Sequence, residues 1–136
     1  MNETRAIRIL MAEDSDSDVR LFKEALRAAA IGFELERYSD GESCVRSLAA
    51  ENGPLPDLIV LDLNMPKVDG FEVLKTVRSI SRFDAVPVAM VTSSESEEER
   101  ETSVTLGANA LIVKPLHLHD FITTVGASIR ELLKAA

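Results

Sequence analysis

The stretch LIVLDLNMPKVDG, from Leu58 to Gly70, places an aspartate, Asp62, directly after four consecutive apolar residues. Such an apolar run is typical of a strand buried on both faces, and these strands belong to parallel sheets. A buried strand can carry a carboxylate only at its end, where the chain reaches solvent. The turn-forming Asn64, Pro66 and Gly70 predict a loop that returns over that end. We therefore expect Asp62 to lie at the mouth of a sheet, where it can take part in chemistry.

Strand-like and helix-like patterns alternate along the rest of the chain. Short apolar runs predict five strands, and apolar residues at helical spacing predict five helices between and after them. The strands are predicted at 7–12, 33–36, 57–62, 86–91 and 111–113, and the helices at 16–30, 39–50, 71–80, 95–106 and 118–133. Gly32 and Gly107 are predicted to end the first and fourth helices, and Ser39 with Glu42 to form a capping box for the second. Alternating strands and helices predict a parallel sheet covered on both faces.

The hydrophobic patterns also predict the strand order. The continuous apolar runs of the first, third and fourth strands predict central positions, whereas the alternating Phe33-Glu34-Leu35-Glu36 predicts an edge. The expected fold is α/β, a doubly wound, flavodoxin-like (βα)5 fold with the strand order 2-1-3-4-5. We expect one domain, residues 1–136, with no separate output domain.

Composition excludes several classes of function. With 136 residues the chain can bury a sizeable core, and its net charge of −8 argues against nucleic acid or an anionic membrane as a partner. No apolar stretch reaches the roughly 18 residues of a membrane span, and the charged N-terminus is unlike a signal peptide. Cys44 is the single cysteine and cannot form an internal disulfide. These features predict a cytoplasmic protein.

In doubly wound sheets the ligand crevice lies outside the carboxyl ends of the strands, so the candidate site residues follow from the strand ends. Those residues are Glu13 and Asp14, Asp62, Thr92 and Ser93, and Lys114. Crowded carboxylates tolerate one another when a hard dication lies among them. A lysine and a hydroxyl provide charge and hydrogen bonds for phosphate oxygens. Aspartates can accept phosphoryl groups, so Asp62 is a candidate phosphate acceptor.

This set of residues resembles the receiver domain of two-component response regulators. The resemblance extends from Ile7 to the last helix and rests on Glu13-Asp14, Asp62 within LDLNMPKVDG, Thr92 and Lys114-Pro115. It implies that a sensor histidine kinase transfers a phosphoryl group from a phosphohistidine to Asp62. Such a domain is a signalling module, which catalyses only its own phosphorylation and dephosphorylation. The stretches EDSDSDVRLFKEAL and VTSSESEEE are similar to those of stand-alone regulators that work with bacterial phytochromes.

The resemblance also implies a Mg²⁺ site. Asp14 and Asp62 would bind the ion directly with the backbone carbonyl of Asn64, and Glu13 would act directly or through water. Lys114 would pair with the acceptor and then with the phosphoryl group. Without metal, repulsion among the acids predicts at least one raised carboxyl pKa.

A further implication is a switch. Thr92 would hydrogen-bond the phosphoryl group and change the surface of the fourth helix, fifth strand and fifth helix. Many receivers carry a tyrosine or phenylalanine where this chain has Leu111, so ring rotation is not expected. Pro115 would follow a cis peptide that holds Lys114 in place. The apolar fifth strand at a sheet edge predicts a homodimer through the same surface.

Several polar residues have simpler structural interpretations. Asp16 and Asp18 are predicted to cap the first helix. His117 and His119 are predicted to begin the last helix, because a His-x-His pair without a further ligand is a weak metal motif. Cys44 is predicted to be a core residue of the second helix, and Glu97-Glu98-Glu99 a solvated helix face.

Two other functions compete with the receiver interpretation. The first is an aspartate-nucleophile phosphohydrolase, in which Asp14 of the Asp14-Ser15-Asp16 stretch would be the nucleophile; it leaves Asp62 without a role. The second is a flavin-binding carrier. A flavin phosphate requires a loop rich in glycine and hydroxyl groups after the first strand, whereas this chain has acids there.

Overall fold

A computed structural model describes residues 5–50, 53–94 and 96–135, in which five strands and five α-helices alternate. The strands are β1 (Ile7–Ala12), β2 (Phe33–Tyr38), β3 (Leu58–Asp62), β4 (Val88–Thr92) and β5 (Ala110–Val113). The helices are α1 (Asp16–Ala28), α2 (Gly41–Ala49), α3 (Gly70–Ser79), α4 (Glu97–Thr105) and α5 (Leu118–Ala135). A short 3₁₀ helix at Ser81–Phe83 was not predicted. The predicted number and order of strands and α-helices are confirmed.

The strands form one parallel sheet in the order β2-β1-β3-β4-β5, which confirms the predicted doubly wound topology. Met11 of β1 lies opposite Val60 of β3, and Asp62 at the end of β3 lies opposite Val91 of β4. The carboxyl ends of the central strands therefore meet at one edge of the sheet. In this topology that edge contains the ligand crevice.

Burial explains the position of each strand. All residues of β3 and β4 are buried, and β1 is buried from Ile9 onwards. In β2 the residues from Phe33 to Glu36 alternate between half-buried and exposed, as expected for an edge. The continuous apolar runs are central because helices cover both faces of the sheet.

Two hydrophobic layers hold the helices against the sheet. On one face α1 and α5 pack through buried residues that include Phe22 and Phe121. On the other face α2 and α3 contribute Leu48 and Leu74, and Cys44 of α2 is fully buried among them. The prediction that Cys44 is a core residue is therefore confirmed.

The helix α4 is attached to this core much less firmly than the other helices. Within Glu97–Thr105 the only buried residue is Ser103, while Val104 is 69% exposed. The apolar anchor is Leu106, which follows the helix and packs against the α2–α3 layer. An element that buries so few apolar residues opens and moves more readily than its neighbours.

Two predicted helix ends differ from the structure. The chain turns at Ala30, with a left-handed φ of 61°, so Gly32 does not end α1. The amide of Ile31 donates to the carbonyl of Leu26 and stabilises this turn. The second helix is capped by Asp40, whose carboxylate accepts from the Ser43 amide, so the capping box predicted at Ser39 does not form. In both cases a residue one or two positions before or after the predicted one takes the predicted role: Ala30 in place of Gly32, and Asp40 in place of Ser39.

Other local predictions need smaller changes. The fourth strand begins at Val88, directly after Pro87, because proline cannot donate to the sheet. No cis peptide bond occurs among the described residues, so the predicted cis bond before Pro115 is wrong, and the commoner trans form is present. The predicted start of the fourth helix, Glu95, lies outside the described residues. None of the described helices is long and apolar enough to cross a bilayer.

Candidate functional site

The parallel register brings the predicted site residues to one edge of the sheet. Because Ala12 lies opposite Leu61, the residues that follow β1 lie beside the end of β3. Thr92 at the end of β4 lies opposite Val113 at the end of β5. Lys114, which directly follows β5, therefore reaches the same edge. Glu13, Asp14, Asp62, Thr92 and Lys114 thus come from four strands that end side by side.

Three carboxylates form an acidic cluster at this edge. Oxygen atoms of Glu13, Asp14 and Asp62 all lie within 4.8 Å of one another. Glu13 is only 1% exposed and Asp62 only 4% exposed, whereas Asp14 is exposed to solvent. Two of the acids are therefore desolvated, and the third lies where a soluble ligand can enter.

The side chain of Lys114 lies beside the acidic cluster. Its Nζ atom is 3.0 Å from Oε1 of Glu13 and 3.7 Å from Oδ1 of Asp62. A third carboxylate, that of Asp18 in α1, lies still closer, with Oδ2 2.6 Å from Nζ. This lysine partly neutralises the acids and lies within reach of any group attached to Asp62.

The role predicted for Asp16 and Asp18 is corrected by the structure. The cap of α1 is Ser15, whose hydroxyl accepts from the amide of Asp18. Asp16 instead pairs with Arg37 at 2.8 Å, and Asp18 binds Lys114. Sequence reasoning missed Asp18 as a site residue. The available signal was its place in the first turn of the helix that follows Glu13 and Asp14.

Burial and charge change the acidity of these groups. The pKa of Glu13 is raised to about 7, mainly by burial and further by the nearby Asp62, while Lys114 opposes the rise. Burial also raises the pKa of Asp62, against the effect of Lys114. Lys114 itself has a raised pKa, because the carboxylates around it outweigh the effect of burial. The predicted raised carboxyl pKa is present, but burial contributes more to it than repulsion between the acids.

The loop after β3 returns over the site, as its turn residues predict. The amide of Asn64 donates to Oδ1 of Asp62 at 3.3 Å, and the amide of Gly70 donates to the carbonyl of Leu63. A Cβ atom at Gly70 would lie 2.4 Å from the backbone oxygen of Asp62. Glycine is therefore required there, because the start of α3 packs directly against the end of β3.

Thr92 is fully buried and its hydroxyl has two partners. Its Oγ1 atom donates to Oε1 of Glu99 at 3.1 Å and accepts from the amide of Ser94 at 3.1 Å. Glu97 and Glu98 are exposed, as predicted for a solvated helix face. Glu99 is only half exposed, and its carboxylate turns towards β4, so the prediction is wrong for this residue. Because Glu97, Glu98 and Glu99 are identical and consecutive, the sequence alone does not distinguish Glu99 from the two exposed residues before it.

Leu111, which stands at the switch position where many receivers carry an aromatic residue, is half-buried in β5 and packs against the α2–α3 layer. His117 and His119 are both exposed, and the backbone carbonyl of His117 accepts from the amide of Phe121 at the start of α5. Neither histidine belongs to a possible metal cluster within the described part of the chain; the acids described above form the one such group found there.

The acidic cluster fits a hard divalent cation. Carboxylate oxygens are the ligands that Mg²⁺ prefers, and Mg²⁺ commonly uses one or two protein carboxylates and keeps several waters. Asp14 is exposed and Asp62 is buried, which leaves one side of the cluster open to water. The set contains no nitrogen or sulfur ligand that would favour a softer metal.

Comparison with known proteins identifies the family. The family model described as "Response regulator receiver domain" matches residues 9–126. The chain belongs to the response regulator receiver family. This match includes β1 from Ile9 onwards, the other four strands in full and every site residue described above.

Individual relatives of this receiver domain include response regulators of phytochromes. The chain is 37% identical over 121 residues to response regulator Rcp1 of Synechocystis sp., covering 86% of this chain and 82% of Rcp1. The crystal structure of the phosphorylated cyanobacterial phytochrome response regulator RcpA is similar with a TM-score of 0.87, 32% identity and 97% coverage of both chains. The Mn²⁺-bound form of Rcp1 gives a TM-score of 0.84, with 34% identity and 96% coverage of both chains.

Proposed function

We propose that this receiver domain accepts a phosphoryl group on Asp62 from a phosphohistidine of a sensor histidine kinase, in a Mg²⁺-dependent reaction. The observation that carries the proposal is the position of Asp62: its Oδ1 atom lies 3.7 Å from Lys114 Nζ, within the cluster formed with Glu13 and Asp14. The phosphorylated crystal structure of RcpA and the Mn²⁺-bound form of Rcp1 support the same chemistry.

The transfer exchanges one phosphorus bond for another. A carboxylate oxygen of Asp62 attacks phosphorus, the P–N bond to the histidine breaks, and the imidazole nitrogen retains the electron pair. Lys114 neutralises charge on the acceptor and then on the phosphoryl oxygens. The hydroxyl group of Thr92 donates a hydrogen bond to the phosphoryl group. In this reaction the protein mainly positions the reactants and stabilises charge.

The residues that would hold Mg²⁺ are Asp14 and Asp62, with the backbone carbonyl of Asn64, while Glu13 would act directly or through water. When bound, the ion supplies positive charge that offsets the oxygens of the transferring group. Asp14 suits a direct ligand because it is exposed, and Asp62 can serve as ligand and acceptor with different oxygens.

Phosphorylation by a small phosphodonor tests the proposal. With Mg²⁺, wild type should gain one acid-labile phosphoryl group, detected by intact mass spectrometry, and Asp62→Asn should gain none. Excess chelator should slow the reaction strongly. A label that persists in Asp62→Asn but disappears in Asp14→Asn would favour the phosphohydrolase alternative, in which Asp14 is the nucleophile. That alternative has less support because Asp14 is exposed, whereas Asp62 is buried and lies beside Lys114.

The proposed partner is a phytochrome-type histidine kinase, supported by the similarity to RcpA and Rcp1. Candidate kinases of this and other types can be phosphorylated and mixed with the protein, beside Asp62→Asn as the control. The cognate kinase should transfer its phosphoryl group fastest. Faster transfer from kinases that lack a phytochrome module would overturn this choice of partner.

The proposed output is a changed surface formed by α4, β5 and α5, and a homodimer through this surface. Its support is the weak attachment of α4 and the exposed Val104. Val104→Lys should weaken association measured by light scattering, and it tests the surface better than Leu111→Lys because Leu111 packs on the core. Lys134→Ala, at the exposed end of α5, is a control outside the apolar part. A monomeric wild type at micromolar concentrations would contradict the dimer.

A further inference from the structure

The single hydroxyl hydrogen of Thr92 is already donated to another side chain in this structure. A threonine hydroxyl has one hydrogen to donate and accepts through its lone pairs. The donated hydrogen goes to Oε1 of Glu99, and the amide of Ser94 occupies the acceptor side. A phosphoryl group has only acceptor oxygens, so it can bind Thr92 only through the hydrogen that Glu99 now receives.

Glu99 is held in this position by several contacts. Its amide donates to the hydroxyl of Ser96, the cap of α4, and its carbonyl accepts from the hydroxyl of Ser103. The same Oε1 atom that accepts from Thr92 also accepts from the hydroxyl of Ser94 at 3.3 Å. The Glu99 carboxylate therefore connects the end of β4 to the first turn of α4.

We propose that Glu99 is a positioning residue that holds Thr92 in the resting state and competes with the phosphoryl group for its hydroxyl hydrogen. The inference rests on the proposed phosphorylation of Asp62 and adds a residue that the receiver resemblance did not assign. Binding of Thr92 to the phosphoryl group requires loss of the Thr92–Glu99 hydrogen bond. This loss breaks the only side-chain hydrogen bond between β4 and the first turn of α4 among the described residues.

Competition of this kind lowers the apparent affinity of the site for an anion on Asp62. Part of the binding free energy is spent on breaking the bond between Thr92 and a carboxylate. Hydrogen bonds to charged groups contribute enough that removing this competitor should tighten binding on the order of tenfold. Removal of the carboxylate should therefore favour the active arrangement.

Beryllium fluoride with Mg²⁺ provides a direct equilibrium test, because it is a tetrahedral anionic mimic of an aspartate-bound phosphoryl group. Its apparent affinity can be measured by fluorine NMR in wild type, Glu99→Ala and Glu98→Ala. Glu98 is the matched control, since it lies in the same helical turn, carries the same charge and is exposed. We expect about tenfold tighter binding for Glu99→Ala and less than about twofold change for Glu98→Ala.

A double-mutant cycle tests whether Glu99 acts through Thr92. In a Thr92→Val background, Glu99→Ala should no longer tighten binding, because the shared hydroxyl is gone. Glu99→Gln should give an intermediate gain, since an amide oxygen still accepts but carries no charge. Thermal melts of each variant test whether the fold is intact. If Thr92→Val fails to fold, the comparison of Glu99→Gln with Glu99→Ala still tests the role of the carboxylate.

Two results would overturn the proposal, and a third would remove the function on which it rests. Equal effects of Glu99→Ala and Glu98→Ala would show that only net charge matters. A gain that persists in the Thr92→Val background would show that Glu99 acts elsewhere. Failure of the folded wild type to bind beryllium fluoride with Mg²⁺ would instead remove the proposed function on which the inference depends.

Discussion

The ammonium group of Lys114 is shared by three carboxylates, those of Asp18, Glu13 and Asp62. Its side chain is only 12% exposed, so burial disfavours the charged form. The pKa of Lys114 is nevertheless raised, and the hydrogen bond to Asp18 is the largest contribution in that direction. A helical residue outside the strand ends thus favours the charged form of the lysine of the site.

We expect Asp18→Asn to lower the pKa of Lys114, because burial would remain while the strongest opposing hydrogen bond would lose its charge. Nitrogen NMR titration of Nζ measures this change. Asp16→Asn is the matched control, since Asp16 lies in the same turn of α1 but pairs with Arg37. An unchanged Lys114 pKa in Asp18→Asn would contradict the role given to Asp18.

The junction between β3 and α3 depends on a glycine for steric reasons. Gly70 lies so close to the end of β3 that an added Cβ atom would be 2.4 Å from the Asp62 oxygen and 2.9 Å from the Leu63 Cα atom. Both neighbours are backbone atoms and cannot rotate away. The loop that carries Asn64 is thereby fixed against the acceptor strand.

Gly70→Ala should destabilise the protein by about 2 kcal/mol, because backbone atoms must shift to accept the methyl group. Urea denaturation measures the loss. At the control position Gly32 a Cβ atom would have no neighbour closer than 3.8 Å, so Gly32→Ala should be neutral or slightly stabilising. Equal stabilities of the two variants would argue against the close approach seen at Gly70.

The site residues at the strand ends could be predicted from the sequence far better than the contacts that helical side chains make with the site. The apolar runs that end at Ala12, Asp62 and Thr92 fix which residues meet, because parallel strands end at one edge. Asp18 and Glu99 were missed because a helical side chain reaches the site only if the helix has a certain rotation and tilt. Those depend on packing against the whole sheet. The turn at Ala30 was missed for a simpler reason, since glycine is the usual residue for a left-handed conformation.

The site as a whole stores unfavourable electrostatic free energy when no metal is bound. Glu13 is almost fully buried with a pKa of about 7, above the ordinary 4.5. Between these pH values the folded state binds a proton more tightly than the unfolded state does. Stability from this group is therefore greatest below pH 4.5 and is lost as the pH rises towards 7.

In metal-free buffer, wild type should lose up to about 2 kcal/mol of stability between pH 5 and 7 through Glu13, whereas Glu13→Gln should show a flatter profile. Urea denaturation across this range measures the slope. Glu98→Gln changes an exposed acid and serves as the control. Parallel profiles for wild type and Glu13→Gln would mean that Glu13 titrates normally.

Neutralising the other acids should also stabilise the metal-free fold. We expect Asp62→Asn to melt a few degrees higher than wild type, and Asp14→Asn to show a smaller rise because Asp14 is exposed. Mg²⁺ at a hundred times its dissociation constant should stabilise wild type by about 2.7 kcal/mol and both variants by less. A wild type indifferent to Mg²⁺, together with less stable variants, would contradict the metal site.

The ion pair between Lys114 and Asp18 joins parts of the chain that are 96 residues apart. During synthesis on the ribosome, the first and third strands emerge long before the fifth, and contacts of such long sequence separation form late. Until β5 is placed beside β4, the buried acids lack their only lysine partner among the described residues. On the proposed function, a nascent or partly folded chain cannot respond to its kinase, so the ability to receive a signal also reports that folding is complete.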